Sequence, residues 1–471
     1  MNEMPRALVS SAATPLSSAG WGAEFRALFT LAWPLIISQL ARSALFTTDV
    51  IVLGRLGPEY VAAGALANAL FVCVLLFGIG TVGAVAPMVA QARGARDFRS
   101  VRRTVRQGIW LSVILFVLMF PLAWNIGPIF RSIGQDPDLI VLAEAFVHGA
   151  IWLLLPAFIL MALQAFLSAH GATRAVLLIT VAGVGINLFA NYLLVFGNWG
   201  FPRLGIMGSG LSTTIVNIAM LALTILYIQT NRRFRRYHMW HKFFTPDWVR
   251  LWELIKIGAP IGAMLLAEVA LFTTASLLQG WLGEAELAAH SVSLTIASLA
   301  FMVPLGLSQA TVVRVGLALG EKNKEGIRKA GWAAFSITIG FMSLTSILFF
   351  VAPHQIVGLF LDSGLAENTA PLTLAASFLV IAALFQLFDG TQVTMSAALR
   401  GLSDTNMPLI IALVGYWLIG FPIAYYFGFH TPLRGVGVWI GLAAGLAAVA
   451  LVLTIRFALR ERLHLTDKAP V

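Results

Sequence analysis

The chain is divided into about twelve apolar stretches, each long enough to cross a lipid bilayer. A helix needs about 20 residues for such a crossing. Because lipid offers the backbone no hydrogen bonds, apolar stretches of this kind must form helices rather than an open sheet. We therefore predict an all-α integral membrane protein. The stretches start near Phe25, Tyr60, Val101, Leu142, Ala175, Gly205, Leu251, Glu286, Gly326, Thr369, Met407 and Gly435.

The composition excludes an ordinary soluble protein. Hydrophobic residues make up 59% of the chain and charged residues 11%, whereas soluble domains carry about 25% charged residues. A formal net charge of +10 would suggest nucleic acid if it lay on a soluble face. Here the Lys and Arg residues gather in the gaps between apolar stretches, so we expect no nucleic-acid partner. Cys73 is the single cysteine, which excludes a disulfide and a multi-cysteine metal site within one chain.

The charges of the gaps predict the orientation of the chain, because Lys and Arg are retained in cytoplasmic loops. Alternate gaps are strongly basic, and we place them in the cytoplasm together with both termini. Residues from Met1 to about Trp21 have no cleavable apolar core and are expected to form a cytoplasmic tail. The basic gaps contain Arg93, Arg96, Arg99, Arg102, Arg103 and Arg106, then Arg232, Arg233, Arg235, Arg236 and Lys242, then Lys322, Lys324, Arg328 and Lys329.

The two halves of the chain resemble each other. Leu45-Phe46-Thr47-Thr48 recurs as Leu271-Phe272-Thr273-Thr274, and the same offset aligns Gly94 with Gly320. Each repeat contains six helices, so both halves enter the membrane in the same direction, and an axis along the membrane normal relates them. The predicted segments are an N-terminal tail 1–24, a six-helix bundle 25–230, a cytoplasmic linker 231–250, a second six-helix bundle 251–460 and a C-terminal tail 461–471.

Three carboxylates lie inside apolar stretches, where a charge costs about 2.5 to 3.5 kcal/mol on insertion scales. Asp49 is near the outer part of the first stretch, Glu268 is within the seventh, and Asp389 is within the tenth. Each has a structural alternative: hydration at a helix end for Asp49, a bond to a neighbouring helix for Glu268, and hydration near Gly390 for Asp389. We favour a functional role for all three.

Glu268 and Asp389 belong to the same half and could share a Na⁺ ion or a proton, because oxygen ligands suit hard cations and a low dielectric raises proton affinity. Asn187 and Asn191 share one helix face, although Asn is often only a link between helices. The repeat aligns Arg42 with Glu268, which indicates opposite charges in the two halves. We expect Arg314 to extend its side chain toward the cytoplasmic surface. The supporting polar residues are Asn187, Asn191, Gln386, Gln39 and Arg42.

The sequence shows no signature of an enzyme. It has no phosphate-binding loop with Lys, no zinc-binding pair of His at helical spacing, and no soluble domain large enough for a nucleotide. We expect no cofactor other than a Na⁺ ion or a proton. If the protein does work on a solute, the energy would come from an ion gradient.

The chain resembles the multidrug and toxic compound extrusion (MATE) family, and within it the NorM branch. The resemblance spans nearly the whole chain and rests on three motifs in order: Thr48-Asp49-Val50-Ile51-Val52-Leu53-Gly54-Arg55-Leu56-Gly57, then Pro304-Leu305-Gly306-Leu307-Ser308 running into Val313-Arg314-Val315-Gly316, and Ala398-Leu399-Arg400-Gly401-Leu402-Ser403-Asp404-Thr405. It implies a V-shaped antiporter of two six-helix bundles that exchanges Na⁺ or H⁺ for bulky, often cationic drugs by alternating access.

The resemblance also implies roles for particular residues. Glu268 and Asp389 match the acidic cation site of the C-terminal bundle, and Asp49 matches the N-terminal acid linked to proton exchange. Asn187 and Asn191 match the polar pair that faces this acid. Members of the family often have Tyr where this chain has Phe385, so a Na⁺ site here would lack one hydroxyl.

Two other functions would require different sequence features. A flippase for lipid-linked precursors should have a basic cavity, whereas Arg42 is the one clear cation in the middle of a span. A membrane enzyme acting on lipids should have acidic or His clusters at a membrane edge, whereas the acids of the outer gaps are scattered. We therefore expect a monomeric drug exporter in the bacterial inner membrane, with drugs and membrane lipid as its partners.

Overall fold

The computed structural model of the protein describes residues 20–239, 243–361 and 369–467. Within these ranges, twelve helices are long and apolar enough to cross a membrane. We number them α1 to α12 in chain order. They are α1 (Trp21–Leu56), α2 (Pro58–Gly94), α3 (Phe98–Trp124), α4 (Pro137–Ala169), α5 (Thr173–Leu194), α6 (Gly205–Thr230), α7 (Trp248–Leu282), α8 (Glu284–Gly320), α9 (Lys324–Val351), α10 (Thr369–Gly401), α11 (Asn406–Phe429) and α12 (Arg434–Ala458).

The helices begin within a few residues of their predicted starts, because the length of an apolar stretch sets the length of a span. Short helices at Ile126–Ser132, Arg232–Arg235 and Pro353–Val357 lie between the spans. Two turns are constrained more strongly. Gly57 ends α1 with φ of 146° and Gly283 ends α7 with φ of 151°, values at which a side chain would be strained. These glycines are equivalent in the repeat.

The helices form two bundles of six. In the N-terminal bundle α1 packs on α5, α5 and α4 pack on α6, and α2 and α3 pack on α4. In the C-terminal bundle α10 packs on α8, α9 and α12, and α11 packs on α12. The bundles meet where α1 contacts α8 and where α2 contacts α7 and α8. The contacts of α1 with α8 and of α2 with α7 are exchanged by the repeat, which is the arrangement that a parallel repeat requires.

Glycines bring the bundles into backbone contact. A Cβ atom on Gly80 of α2 would lie 2.6 Å from the Cα atom of Gly262 in α7, and one on Gly306 of α8 would lie 2.5 Å from the Cα atom of Ile36 in α1. The two contacts are equivalent in the repeat. Each residue lies in the half of its helix nearer the basic gaps. Small residues allow close approach of helices in membranes, where packing rather than the hydrophobic effect drives association.

Polar contacts join the bundles at the same end. Arg314 of α8 donates from Nε to Glu24 Oε1 of α1 over 2.8 Å and makes a second bond from Nη2 to Oε2. The Gln91 amide of α2 donates to the Gly401 carbonyl oxygen over 2.9 Å. Our expectation that Arg314 extends to the surface is wrong, because a buried carboxylate on the other bundle satisfies its charge.

The linker between the bundles is anchored to the N-terminal bundle. The Tyr237 hydroxyl lies 2.6 Å from His170 Nε2, just after α4, and Arg233 Nη2 donates to the His170 carbonyl oxygen over 2.8 Å. Burial, together with the positive charges of Arg93 and Arg233, lowers the pKa of His170 to about 3. The predicted tails 1–24 and 461–471 and the linker 231–250 lie partly outside the described residues, at 1–19, 468–471 and 240–242.

Candidate functional site in the C-terminal bundle and its polar counterpart

Two of the predicted acids belong to one cluster in the C-terminal bundle. Glu268 projects from α7, and Gln392 of α10 donates from Nε2 to Glu268 Oε1 over 3.2 Å. Asp389 lies one turn from Gln392 on α10 and is 5% exposed. One of its oxygens, Oδ1, is buried and has no hydrogen-bond partner among the described residues. The cluster therefore contains a free acceptor deep within the bundle.

A tyrosine that the sequence analysis did not identify orients this cluster. The Tyr416 hydroxyl donates to Gln392 Oε1 over 2.6 Å, and Tyr416 is fully buried. The amide of Gln392 has one acceptor and two donors, so this bond turns its NH₂ group toward Glu268. Tyr416 lies in a π-helical segment of α11, Val414–Gly420. Segments of this type are uncommon and occur frequently at functional sites.

Electrostatic interactions act on both acids. The Asp389 and Glu268 carboxylates repel each other, and the guanidinium of Arg400, near the end of α10, attracts Glu268. Gln386 lies one turn before Asp389, and both polar atoms of its amide are buried without a partner among the described residues. The region can therefore accept a cation at the carboxylates and still hydrogen-bond further polar groups.

Aromatic side chains cover the cluster on the side away from the basic gaps. Phe385 is 1% exposed and lies one turn from Asp389. Its ring packs edge-on against Phe272 of α7 at 6.1 Å and against Trp439 of α12 at 5.5 Å between centroids. Phe385 thus serves as a packing residue at this position. The His290 Nε2 atom lies 3.1 Å from the Ser276 hydroxyl, and the His290 ring packs on Trp439, so His290 is a packed histidine.

The third acid, Asp49, forms a separate cluster in the N-terminal bundle. Asn187 and Asn191 of α5 donate to Asp49 Oδ1 over 3.1 and 2.8 Å, and the Thr213 hydroxyl of α6 donates to Oδ2 over 3.0 Å. Both asparagines are fully buried. The structure thus brings together three predicted residues, and Thr213 is an addition. Its position on α6 carried no sequence signal beyond an ordinary polar residue in a span.

The remaining predicted polar residues, Gln39 and Arg42, lie nearer the N-terminus of α1 than Asp49. Arg42 Nη2 donates to Gln164 Oε1 of α4 over 2.6 Å. Gln39 is half-buried one turn away. Neither residue belongs to the cluster of Asp49 or to that of Glu268. Among the described residues, no group of three or more His, Cys, Asp or Glu side chains could hold a metal ion, so an ion at Glu268 and Asp389 would need amide or water oxygens as further ligands.

Comparisons with known proteins agree with this architecture. The MatE family model matches residues 34–193 and 260–426, one match in each repeat. A protein of Mesorhizobium japonicum named "Probable multidrug resistance protein NorM" is 41% identical over 445 residues, covering 94% of this chain and 95% of the relative. A protein of the same name from Rhizobium meliloti is 43% identical over 441 residues, covering 94% of each.

Solved structures show a similar fold. The crystal structure of the eukaryotic MATE transporter AtDTX14 superposes with a TM-score of 0.85 at 23% identity, covering 96% of this chain and 99% of that one. An outward-facing structure of a multidrug resistance MATE family transporter superposes with a TM-score of 0.81 at 22% identity, covering 95% and 97%.

Proposed function

The chain belongs to the MATE family of membrane transporters, and from this premise we propose that it exports bulky, often cationic drugs by cation-coupled antiport. It is a multi-pass membrane protein and not an enzyme. In this proposal it resides in the bacterial inner membrane with both termini in the cytoplasm. Na⁺ or H⁺ enters down its gradient as the drug leaves.

The observation that carries the proposal is the pair of acids in the C-terminal bundle. Glu268 and Asp389 lie within spans, repel each other, and leave Asp389 Oδ1 without a partner in the described part of the chain. A carboxylate in a membrane span is costly unless it serves a purpose or finds a partner. A bound cation removes both the repulsion and the free acceptor, so cation binding is favourable here.

The contacts between bundles support alternating access. The glycine contacts and the pair of Glu24 with Arg314 lie in the halves of the helices nearer the basic gaps. If those gaps face the cytoplasm, the described arrangement is closed on the inside. Cation binding at Glu268 and Asp389 would favour this outward state, which releases drug, and a rocking motion would exchange it for an inward state.

The test is transport by the purified protein in vesicles. We would load a fluorescent cationic drug and impose a Na⁺ gradient and a pH gradient separately, for the parent, Glu268→Gln and Asp389→Asn. Efflux should follow one gradient and be lost in both variants. Glu253→Gln is the matched control, because Glu253 lies on the same helix and pairs with Arg250 near its end.

Efflux that ignores both gradients, or that survives both substitutions at normal protein levels, would assign the two acids a structural role and reject the proposal. The flippase alternative would then be examined with a lipid-linked substrate.

A further inference from the structure

Arg42 carries a charge that nothing in the described residues neutralises. It lies in the middle of α1, and its bond to Gln164 Oε1 joins a cation to a neutral amide. None of the ion pairs among the described residues includes it. A charged residue within a span ordinarily pairs with another or faces water or a pathway. Arg42 therefore lacks its expected counter-charge.

Asp49 does not supply that charge. It lies seven residues further along α1, roughly 10 Å along the helix axis. Its oxygens accept hydrogen bonds from Asn187, Asn191 and Thr213. These neutral donors hydrogen-bond both carboxylate oxygens of Asp49, so Asp49 belongs to a separate cluster between α1, α5 and α6. In the repeat, Arg42 is equivalent to Glu268 of the C-terminal bundle. The N-terminal bundle therefore has a cation at the position where the C-terminal bundle has an acid.

Gln164 adds a second free donor beside Arg42. Because a guanidinium has only donors, the bond from Arg42 must end on the carbonyl oxygen of the Gln164 amide. The amide nitrogen of Gln164 is buried and has no partner among the described residues, and the residue is 6% exposed. Arg42 itself is half-buried rather than fully enclosed by protein. The missing partner of both groups is an acceptor.

We propose that Arg42 and Gln164 form a binding site for an anionic group inside the N-terminal bundle. The group is either chloride or the carboxylate of a transported zwitterion, which the guanidinium binds by charge-assisted hydrogen bonds. In this arrangement the N-terminal bundle selects substrates that carry a negative group, while the acids of the C-terminal bundle couple the cation. The inference rests on the proposed export activity and specifies part of its substrate range.

The test compares two forms of one fluorescent drug in the vesicle assay. One form is a zwitterion with an amine and a carboxylate, and the other is its methyl ester, which keeps the amine and loses the negative charge. Each is measured in chloride and in gluconate medium. The variants are Arg42→Gln, Arg42→Lys, which keeps the charge, and Arg174→Gln, a matched control whose guanidinium lies over the Trp33 ring of α1.

If the substrate supplies the anion, the preference for the zwitterion over the ester should fall about tenfold or more in Arg42→Gln, recover in part in Arg42→Lys, and stay unchanged in Arg174→Gln. If chloride supplies it, gluconate should slow efflux of both forms in the parent, and this difference should vanish in Arg42→Gln. An unchanged preference together with no chloride effect would overturn the inference. Failure of the export proposal is distinct, because Glu268→Gln would then transport both forms like the parent.

Discussion

Gly94 of α2 and Gly320 of α8 make reciprocal contacts across the two bundles. A Cβ atom on Gly94 would collide with the Leu317 carbonyl oxygen, and one on Gly320 would collide with the Gln91 carbonyl oxygen. Leu317 is equivalent to Gln91 under the same repeat offset that aligns the two glycines. The repeat in the sequence therefore appears in the structure as a pair of equivalent contacts, one made by each bundle on the other.

We expect Gly320→Ala to destabilise the protein, because the added methyl group meets backbone that cannot move aside like a flexible side chain. Overpacking of this kind costs about 1 to 3 kcal/mol, and the melting temperature in detergent should fall. Gly340→Ala on α9 is the control, since nothing lies within 4 Å of its Cβ position. Equal melting temperatures for the two variants would contradict the close contact.

The pair of Glu24 and Arg314 should be far more sensitive to one substitution than to two. Glu24→Leu or Arg314→Met leaves one buried charge without its partner, which costs about 3 to 5 kcal/mol. Replacing both residues, with Leu at 24 and Met at 314, removes both charges and should restore most of the stability. Thermal unfolding of the four proteins measures this difference. Additive losses in the double variant would show that the residues do not act as a pair.

His170 makes the anchoring of the linker sensitive to acid. Burial and the charges of Arg93 and Arg233 lower its pKa to about 3, whereas an unfolded His titrates near 6.5. The unfolded chain therefore binds the proton more strongly between these values. Stability is fully present above about pH 6.5 and is lost as the pH falls toward 3, with a slope of up to about 1.4 kcal/mol per pH unit.

Melting temperatures between pH 7.5 and 5 test this effect. His170→Gln should flatten the dependence, whereas His354→Gln, on an exposed histidine, should leave it as in the parent. A parent-like slope in His170→Gln would assign the acid sensitivity to other groups.

The bond between Tyr416 and Gln392 is expected to show coupling in a double-mutant cycle. Gln392→Leu leaves the buried Tyr416 hydroxyl without an acceptor, which costs about 1 to 3 kcal/mol. Adding Tyr416→Phe removes that hydroxyl, so the double variant should be more stable than the sum of the single losses predicts.

Thr338→Val tests whether the coupling is specific. Thr338 shares a hydroxyl bond of 2.8 Å with Thr394 in the same bundle, and its effect should add to that of Tyr416→Phe. A cycle without coupling at 416 and 392 would mean that the hydroxyl does not hold the amide.

The spans were predictable from the sequence, because bilayer thickness sets the length of a span and the local composition shows where each apolar stretch begins and ends. The start near Leu251, for example, lies three residues after Trp248, the observed start of α7. The repeat was predictable because the sequence alone shows it, as aligned residues such as Gly94 and Gly320. The family resemblance, too, was confirmed by the matching family model and by the relatives.

Side-chain pairing was less predictable, because it depends on which helix faces meet. Arg314 was expected at the surface, and its partner Glu24 lies almost three hundred residues away in sequence. Thr213 and Tyr416 looked like ordinary polar residues in spans until packing placed their hydroxyls on Asp49 and Gln392. The roles of Glu268, Asp389 and Asp49 in ion coupling stay predictions.

The π-helical segment Val414–Gly420 has a consequence for insertions and deletions. A π turn holds about one residue more than an α turn, so the part of α11 beyond it is rotated by about 100° from where an unbroken α-helix would place it. Deleting one residue from the segment would restore regular helix, but it could not preserve the directions of both Tyr416 and Phe421–Phe429. A single-residue deletion here would therefore rotate one half of α11 relative to the other. The contact of Tyr416 with Gln392 could then be lost while α11 still crosses the membrane.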